Sequence, residues 1–507
     1  VMGVASIVRD GGTGQVTAVT LKENGGTIDA QNELSNIELW LSSDTDWDSG
    51  DEQLDTAKSF NGADGECTFT ETFDVTVSTQ YLIVRLDVAS GATVNDTIEV
   101  RISTITTSDT ANGTPCDISG TTTVTADWWN ASWSHRKEMT FDNTAQTENL
   151  TYFPVMVKLT PSRINYSDFG KSDGTDLRFI DSNNSTELKY HIEKWNSSGD
   201  SFIWVRVPQI DGSSKLDFIY MYYGYSGASN VQSSTSTFSN SYRAVWHMDE
   251  DLWNGTPNEV KDSTVNGIHG TRGGNATTTD TGKIGRCGTF DGSGDYVNLG
   301  TDVLRYTVGT LSAWVNFSAS GFLAIASVHE GIDTYDWSAL RVGSGALQYY
   351  CRPGSTYKVG VASNETMTQG VWYYVVYVTD SSGNKLYING EPADATYSYG
   401  DSTTNAFFGD IPSNQNTKIG IIYDYNGSGL VTNDYNGTMD EVRFSTAARS
   451  GDWIRAQYRS MNDSFINWPA FINVASSTAQ PSSVAAGAVD KVMGSVSIGK
   501  SVGSGTV

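Results

Sequence analysis

Carboxylates at alternate positions are the first chemistry this sequence offers. Asp44-Thr-Asp46-Trp-Asp48-Ser-Gly50-Asp51-Glu52 sets acidic oxygens where a turning loop could converge them on a hard cation. Asp55 stands where such a loop carries its last acidic ligand. The set Asp44, Asp46, Asp48, Glu52 and Asp55 therefore predicts bound calcium. The match to an EF-type loop is imperfect, because Ser49 holds the glycine position and Gly50 follows one residue later. The competing reading is an acidic turn that hydrogen-bonds its own backbone.

Thiols and sequons come next. The four cysteines, Cys67, Cys116, Cys287 and Cys351, form no C-x-x-C pair, and the chain has only five histidines, which speaks against a zinc cluster. They fall two and two into separate halves of the chain. This predicts Cys67–Cys116 and Cys287–Cys351 disulfides and an oxidising compartment; the alternative is four buried thiols. Asn-x-Ser/Thr sequons start at Asn95, Asn112, Asn130, Asn149, Asn165, Asn183, Asn184, Asn196, Asn254, Asn275, Asn316, Asn364, Asn426, Asn436 and Asn462, more than composition alone would give. They predict a glycosylated protein, secreted to the cell surface and archaeal in character.

No catalytic motif is present. There is no H-E-x-x-H, G-x-S-x-G or P-loop, and His135, His191, His247, His269 and His329 are scattered in the manner of structural histidines. The chain is expected not to be an enzyme. Its 32 Lys+Arg against 58 Asp+Glu give a formal charge of −26, which repels nucleic acid. No apolar run is long enough to span a membrane.

The elements that must position these residues read as strands throughout. At 507 residues the chain makes room for about three domains, and the mixture of Gly, Ser, Thr and aromatics favours strands with polar turns. Residues 1–127 alternate as short strands (Gln15–Leu21, Ile37–Leu41, Tyr81–Val88), predicting an immunoglobulin-like β-sandwich. Residues 128–240 carry strands at Phe153–Leu159, Leu177–Ile180, Phe202–Val207 and Phe218–Tyr223, a second β-sandwich. Residues 241–470 carry strands at Leu311–Phe317, Trp372–Val378 and Lys385–Ile388, with one helix over Gly451–Arg459 capped by Ser450. The fold class is all-β: tandem antiparallel β-sandwiches with an extended C-terminal strand in the tail, 471–507.

That tail repeats the beginning of the chain. Residues 492–507 (VMGSVSIGKSVGSGTV) match residues 1–16 (VMGVASIVRDGGTGQV) at 8 of 16 positions, offset by 491. A lone strand cannot pair its own backbone. Val492, Met493, Val496 and Ile498 mirror Val1, Met2, Ala5 and Ile7, a slot already filled in their own chain. The tail is therefore expected to enter another copy, or the next tile of a tandem polypeptide, giving open head-to-tail assembly.

Two segments resemble known families. Residues 128–240 resemble an uncharacterised β-domain family of archaeal and bacterial surface proteins, through Trp133, Gly174-Thr-Asp176-Leu-Arg-Phe179, Tyr190-His-Ile-Glu193-Lys-Trp195 and Tyr220-Met-Tyr-Tyr-Gly224. Residues 241–470 resemble LamG-like, concanavalin-A-type jelly rolls, through Val245-Trp-His-Met-Asp249-Glu250, Asp262-Ser-Thr-Val-Asn266-Gly267, Phe290-Asp-Gly-Ser-Gly-Asp295, Leu311-Ser-Ala-Trp314, Leu386-Tyr-Ile-Asn-Gly390 and Met439-Asp440-Glu441-Val-Arg-Phe444. The jelly-roll resemblance implies a second calcium site built from Asp262, Asn266 and Asp440, with Asp249 a weaker candidate. It also implies sugar-stacking aromatics, for which Trp253, Tyr349, Tyr350, Tyr423 and Tyr425 are candidates. The Glu-x-Asp carboxylate pattern of glycosidases on that fold is missing. Together these readings predict a structural subunit of an extracellular cell-surface filament or layer, built from copies of itself by β-strand addition. The rival is an adhesin or carbohydrate-binding protein with a lectin-like jelly roll.

Overall fold

The structure, a computed structural model, describes all residues except 1–2, 9–13, 45–49, 62–64, 89–95, 108–115, 118–121, 126–128, 131, 331–334, 355, 413–415, 426–429, 469–482, 486–494 and 499–507. The chain forms two compact units: residues 1–131 with 470–507, and residues 132–469. Asp46, Asp48, Val492, Met493, Asn95, Asn112 and Asn426 lie outside the described residues.

In the first unit, one sheet runs in the order Ser495–Ile498, Gly3–Ile7, Gln80–Val88, Leu34–Ser42, Glu52–Lys58. The facing sheet is built on Gly14–Glu23, with Val100–Thr107 on one side and Glu66–Phe69 on the other. Alternation decides the core. Val16, Val19 and Leu21 point inward to meet Leu39, Leu82, Val84 and Leu86, while the residues between them face water.

The tail does not behave as expected. Strand Ser495–Ile498 pairs within its own chain, parallel to Gly3–Ile7, with Val4, Ala5, Ser6 and Ile7 opposite Ser495, Val496, Ser497 and Ile498. Each residue thus sits beside its own sequence counterpart at the same offset of 491. The reason is that Gly3–Ile7 pairs Gln80–Val88 along one edge only, so its other edge accepts a strand. The slot for a copy lies beside the original and is not occupied by it.

The second unit holds two sandwiches. The first stacks a four-stranded sheet (Arg178–Asp181, Phe218–Tyr223, His135–Phe141, Ile466–Asn467) on a three-stranded one (Leu150–Leu159, Ser201–Ile210, Lys189–Lys194). Asp176 ties its loops: Oδ2 accepts N–H bonds from Gly170, Gly224 and Tyr225 at 2.7–3.2 Å. The second sandwich is a jelly roll of two eight-stranded sheets. One contains Gly309–Phe317, Tyr373–Asp380 and Asn436–Ser445; the other contains Phe322–His329, Trp337–Gly343, Ala346–Arg352 and Asn416–Ile419. The helix Gly451–Met461 starts at Ser450, whose Oγ accepts the Trp453 N–H.

Several strands are buried on both faces, which explains their unbroken apolar runs. Ile203 and Val205 fill the first sandwich, while Phe202 and Trp204 between them point the other way. Val375 and Tyr377 fill the jelly roll, while Tyr374, Val376 and Val378 face out. These outward residues meet one another, together with Trp314, Ile454 and Met461, in a shared core between the two sandwiches.

Neither expected disulfide forms. Cys67, Cys287 and Cys351 are free, buried thiols. Cys116 and Cys67 lie in one row of a single sheet, linked through Ile102 and Leu21. Three strand spacings separate their backbones by about 14 Å, beyond the reach of a disulfide. Cys287 and Cys351 belong to opposite sheets of the jelly roll, and the Cys351 thiol points at the Phe407 carbonyl. Burial pushes all three thiols up to about 12. They are expected to resist a thiol reagent in the native protein and to react only after denaturation. Disulfide-linked peptides containing any of the three would contradict this.

Candidate functional site

Two groups of side chains stand out, one sealed inside the second unit and one on its surface. The sealed group is a four-member ion network at the joint between the sandwiches. Glu193 comes from the first sandwich; His247, Glu441 and Arg443 come from the jelly roll. Their side chains are at most 2% exposed.

Backbone irregularities aim both carboxylates. The ladder of Lys189–Lys194 shifts register at Glu193. That of Asn436–Ser445 shifts between Asp440 and Arg443, with Glu441 at φ +54°. A bulge of this kind redirects a side chain that regular alternation would send elsewhere, and a left-handed non-glycine residue carries about 1–2 kcal/mol of strain. Met248, beside His247, is also left-handed at φ +62°.

The geometry is that of an alternating chain of charges. His247 Nδ1 lies 2.6 Å from Glu441 Oε1 and 3.3 Å from Glu193 Oε2. Arg443 donates through Nε to Glu441 Oε2 at 2.8 Å and through Nη2 to the same oxygen. Its guanidinium stacks 4.2 Å over Trp204, whose Nε1–H donates to Glu193 Oε2 at 2.6 Å. Despite burial, Glu441 is held down at about 2 by Arg443 and His247. His247 is raised well above its usual range by Glu441 and Glu193, which outweigh its desolvation. Burial and the Glu441 charge push Glu193 up to about 8. The neighbouring Asp440 is likewise raised well above the usual carboxylate range by burial and by Glu441; its Oδ2 accepts the Ile284 N–H at 2.8 Å.

Among the described residues, Glu193, His247 and Glu441 form the one group whose ligand atoms converge as metal ligands would, all within 4.8 Å. Calcium does not fit it, since calcium takes six to eight oxygens. The cationic role is already filled by Arg443 and by protonated His247, which both contact Glu441. With all four side chains sealed, no substrate reaches them. The cluster bridges the two sandwiches through the His247–Glu193 contact.

The calcium ligands expected from the jelly-roll resemblance do not assemble. Asp262 is a turn organiser: Oδ1 accepts from the Val245 and Thr264 amides, and Oδ2 from Thr264 Oγ1 and the Ile268 amide, all at 2.9–3.0 Å. All four lone-pair directions are used. Asn266 Oδ1 accepts from Arg243 at 2.6 Å, and Asp440 belongs to the buried joint. In the first unit, Asp55 (φ +65°) is taken up by the Thr70 and Thr56 amides and by Lys58 at 3.0 Å, which hold its carboxyl well below the usual range. Glu52 is exposed on its strand, and the Asp44 amide donates to Ser42 Oγ. Asp46 and Asp48, the other members of this set, lie outside the described residues.

Of the sequons, Asn130, Asn149, Asn165, Asn196, Asn254, Asn275, Asn364 and Asn462 are exposed, while Asn184, Asn316 and Asn436 are half-buried. Asn436 Nδ2 donates to the Asp291 carbonyl at 2.7 Å, a bond a glycan there would displace.

The surface group lies on the outer face of the jelly roll's second sheet. Leu340, Leu347, Tyr349, Val359 and Val361 fill the core, so their neighbours Arg341, Tyr350, Arg352 and Gly360 point outward. Tyr350, Gly360 and Tyr399 stand in one row across three strands. A Cβ on Gly360 would meet the Tyr350 ring at 2.7 Å and the Tyr399 ring at 2.8 Å; glycine lets the two rings close over the backbone. Tyr357 stacks on Tyr399 at 4.4 Å, and Arg341 is held 4.2 Å from Phe322 and 4.4 Å from Tyr350. Tyr399 is 45% and Phe322 49% exposed. Of the sugar-stacking candidates, Tyr350 is on this face. Tyr349 is instead in the core, stacked on Tyr377 at 3.5 Å, and Trp253 is buried under Phe290. Tyr423 packs against His329, and the Tyr425 side chain lies outside the described residues.

Residues 291–455 match the family model of the concanavalin A-like lectin/glucanases superfamily, and residues 173–250 that of a domain of unknown function, DUF2341. The chain carries a concanavalin A-like, laminin-G-type domain preceded by a DUF2341 domain. The matched spans contain Glu193 and His247 on the DUF2341 side, and Glu441 and Arg443 on the laminin-G side. No curated protein matches the chain. Similar solved structures include domain 4 of AbnA, a GH43 extracellular arabinanase from Geobacillus stearothermophilus, in complex with arabinotriose (TM-score 0.33, 18% identity, 42% of this chain and 96% of that one). The CBM40 of the Ruminococcus gnavus IT-sialidase bound to α2,3 sialyllactose (0.26, 17%, 30% and 82%) is another, as is the SAP-like pentraxin of Limulus polyphemus (0.26, 17%, 34% and 80%).

Proposed function

We propose that this chain is an extracellular, cell-surface carbohydrate-binding protein, in which the laminin-G-type jelly roll presents the Tyr350–Tyr357–Tyr399 face to glycans and the DUF2341 sandwich is its rigid mount. The carrying observation is the cluster of tyrosine rings around Gly360. Tyr399 is the exposed ring, with half-buried Tyr350 and Tyr357 packed beside it; a ring face so held offers the apolar face of a sugar a stacking surface, with half-buried Arg352 at its margin. The sequon-rich, acidic sequence supports the extracellular setting. Titration of the full chain with arabinan- and galactan-derived oligosaccharides tests it. Binding is expected to weaken at least tenfold in Tyr350→Ala and Tyr399→Ala, with the melting temperature of the exposed Tyr399→Ala variant unchanged. Equal affinity in wild type and both variants would overturn the assignment of this face.

A second reading, a filament subunit joined head to tail through the C-terminal tail, is favoured by the in-register pairing of Ser495–Ile498 with Gly3–Ile7. Removal of residues 471–507 is expected to leave folded monomers that electron microscopy shows unassembled. Filaments formed by the truncated chain would rule out the tail as the joint.

A further inference from the structure

Strand Ser495–Ile498 sits at the rim of its sheet, where among the described residues it is paired with Gly3–Ile7 alone. Remove it, and Gly3–Ile7 becomes the edge, with one row of backbone N–H and C=O groups open. Such an edge is a template for another strand. The strand best matched to it is written elsewhere in the same chain, so every copy carries both an edge and its complement.

The register makes the match specific. Val4, Ala5, Ser6 and Ile7 face Ser495, Val496, Ser497 and Ile498. Ala5 and Ile7 are buried in the core of the first unit, and the residues at the matching register positions are Val496 and Ile498. A slip of one residue would place Ser495 or Ser497 at those positions, so alternation of period two fixes the pairing. Parallel addition also fixes direction, since the donated strand must enter from one end of the sheet.

The tether is long enough for exchange. Strand Ser483–Ala485 pairs with Thr122–Thr125, which leaves residues 486–494 before the donated strand. Nine extended residues reach about 30 Å. The strand can therefore leave its own sheet and add to a neighbouring copy while Ser483–Ala485 stays in place.

Resting on the filament reading, we propose that the partner of the Gly3–Ile7 edge is the Ser495–Ile498 strand of a second copy of this chain, added in parallel at the 491 offset in exchange for the chain's own. The contacts made are the same in the closed and the exchanged forms, so concentration decides between them, as in domain swapping. Donor strand and acceptor edge are different surfaces of one molecule. The association is heterologous, and it grows into an open polymer unless the rotation closes.

Cysteine cross-linking of the full chain tests this. Val4→Cys and Ser495→Cys single variants are mixed under assembling conditions and oxidised. The expected product is a covalent heterodimer that neither variant gives alone. The double variant Val4→Cys/Ser495→Cys should give a covalent ladder of multimers. A double variant that cross-links only within monomers would overturn the exchange. Assembled filaments without the mixed cross-link would overturn this joint while leaving the filament reading in place. A protein that never assembles at any concentration would overturn both. As a separate readout, the double variant Val496→Pro/Ser497→Pro removes a ladder N–H whichever of the two faces Gly3–Ile7 and should abolish multimers while leaving the melting of residues 132–469 unchanged; multimers that persist in it would count against the pairing.

Discussion

Replacing Glu441 by Ala is expected to destabilise the 132–469 unit more than any other single change at the joint. The substitution removes the carboxylate that both protonated His247 and the Arg443 guanidinium contact in a sealed space. Removing one partner of a buried ion pair costs about 3–5 kcal/mol, a fall in Tm on the order of 10 °C for a unit of this size. Strain relief at φ +54° returns only a small part. Glu441→Gln should fall in between, because the amide oxygen still accepts from Arg443. The double variant Glu441→Leu/Arg443→Met should recover much of the loss, since apolar residues of similar volume often replace a buried pair at little cost. Calorimetry of the three variants decides the matter. A Glu441→Ala protein that melts with wild type would mean the network does not hold the joint.

The second large effect is in pH. Burial and Glu441 raise Glu193 to about 8, and Asp440 and His247 are raised as well. Each of these groups binds a proton in the folded state that the unfolded chain has released, once pH exceeds the ordinary value of that group. Between pH 4.5 and 6.5 surplus and deficit oppose one another, with buried Asp249 and Glu250 raised as well. Glu193 and Asp440 hold extra protons, while buried His191, lowered to about 3, and His329, lowered to about 4, lack protons the unfolded chain carries. Above 6.5 the histidine deficit ends and His247 joins the surplus. Stability should therefore fall with rising pH most steeply from 6.5 to 8, by roughly 1 kcal/mol per pH unit for each extra proton. Tm measured against pH should show the break, and Glu193→Gln should reduce the slope by one proton. A Tm that rises from pH 6.5 to 8 would contradict the assignment.

The strands were legible from the sequence because their apolar runs are long and bounded by turns. Gly309–Phe317, Phe218–Tyr223 and the helix capped by Ser450 stand close to where the pattern puts them. The jelly roll after an uncharacterised domain was legible from motif order. The ion network was missed for a physical reason. Glu193 and Glu441 reach one another through bulges, which break the alternation by which an inward-facing residue is recognised, and 248 residues separate them. The available signal was that Tyr190-His-Ile-Glu193, Val245-Trp-His247 and Asp440-Glu441-Val-Arg443 all carry charge inside apolar strands. The turn that Asp262 organises was not legible, because spacing records the carboxylate and not the four donors around it. The disulfides failed because sequence halves are not distances: Cys67 and Cys116 share a sheet but stand three strands apart.

The central proposal is a sugar-binding surface on the outer face of the jelly roll. The most direct measurement is a crystal structure of the full chain with an oligosaccharide that it binds. The expected result is a sugar ring stacked on Tyr399 beside Gly360 and the edge of Tyr350, with Arg352 donating to its oxygens. A saccharide bound elsewhere on the chain, with the Tyr350–Tyr399 face bare, would contradict it.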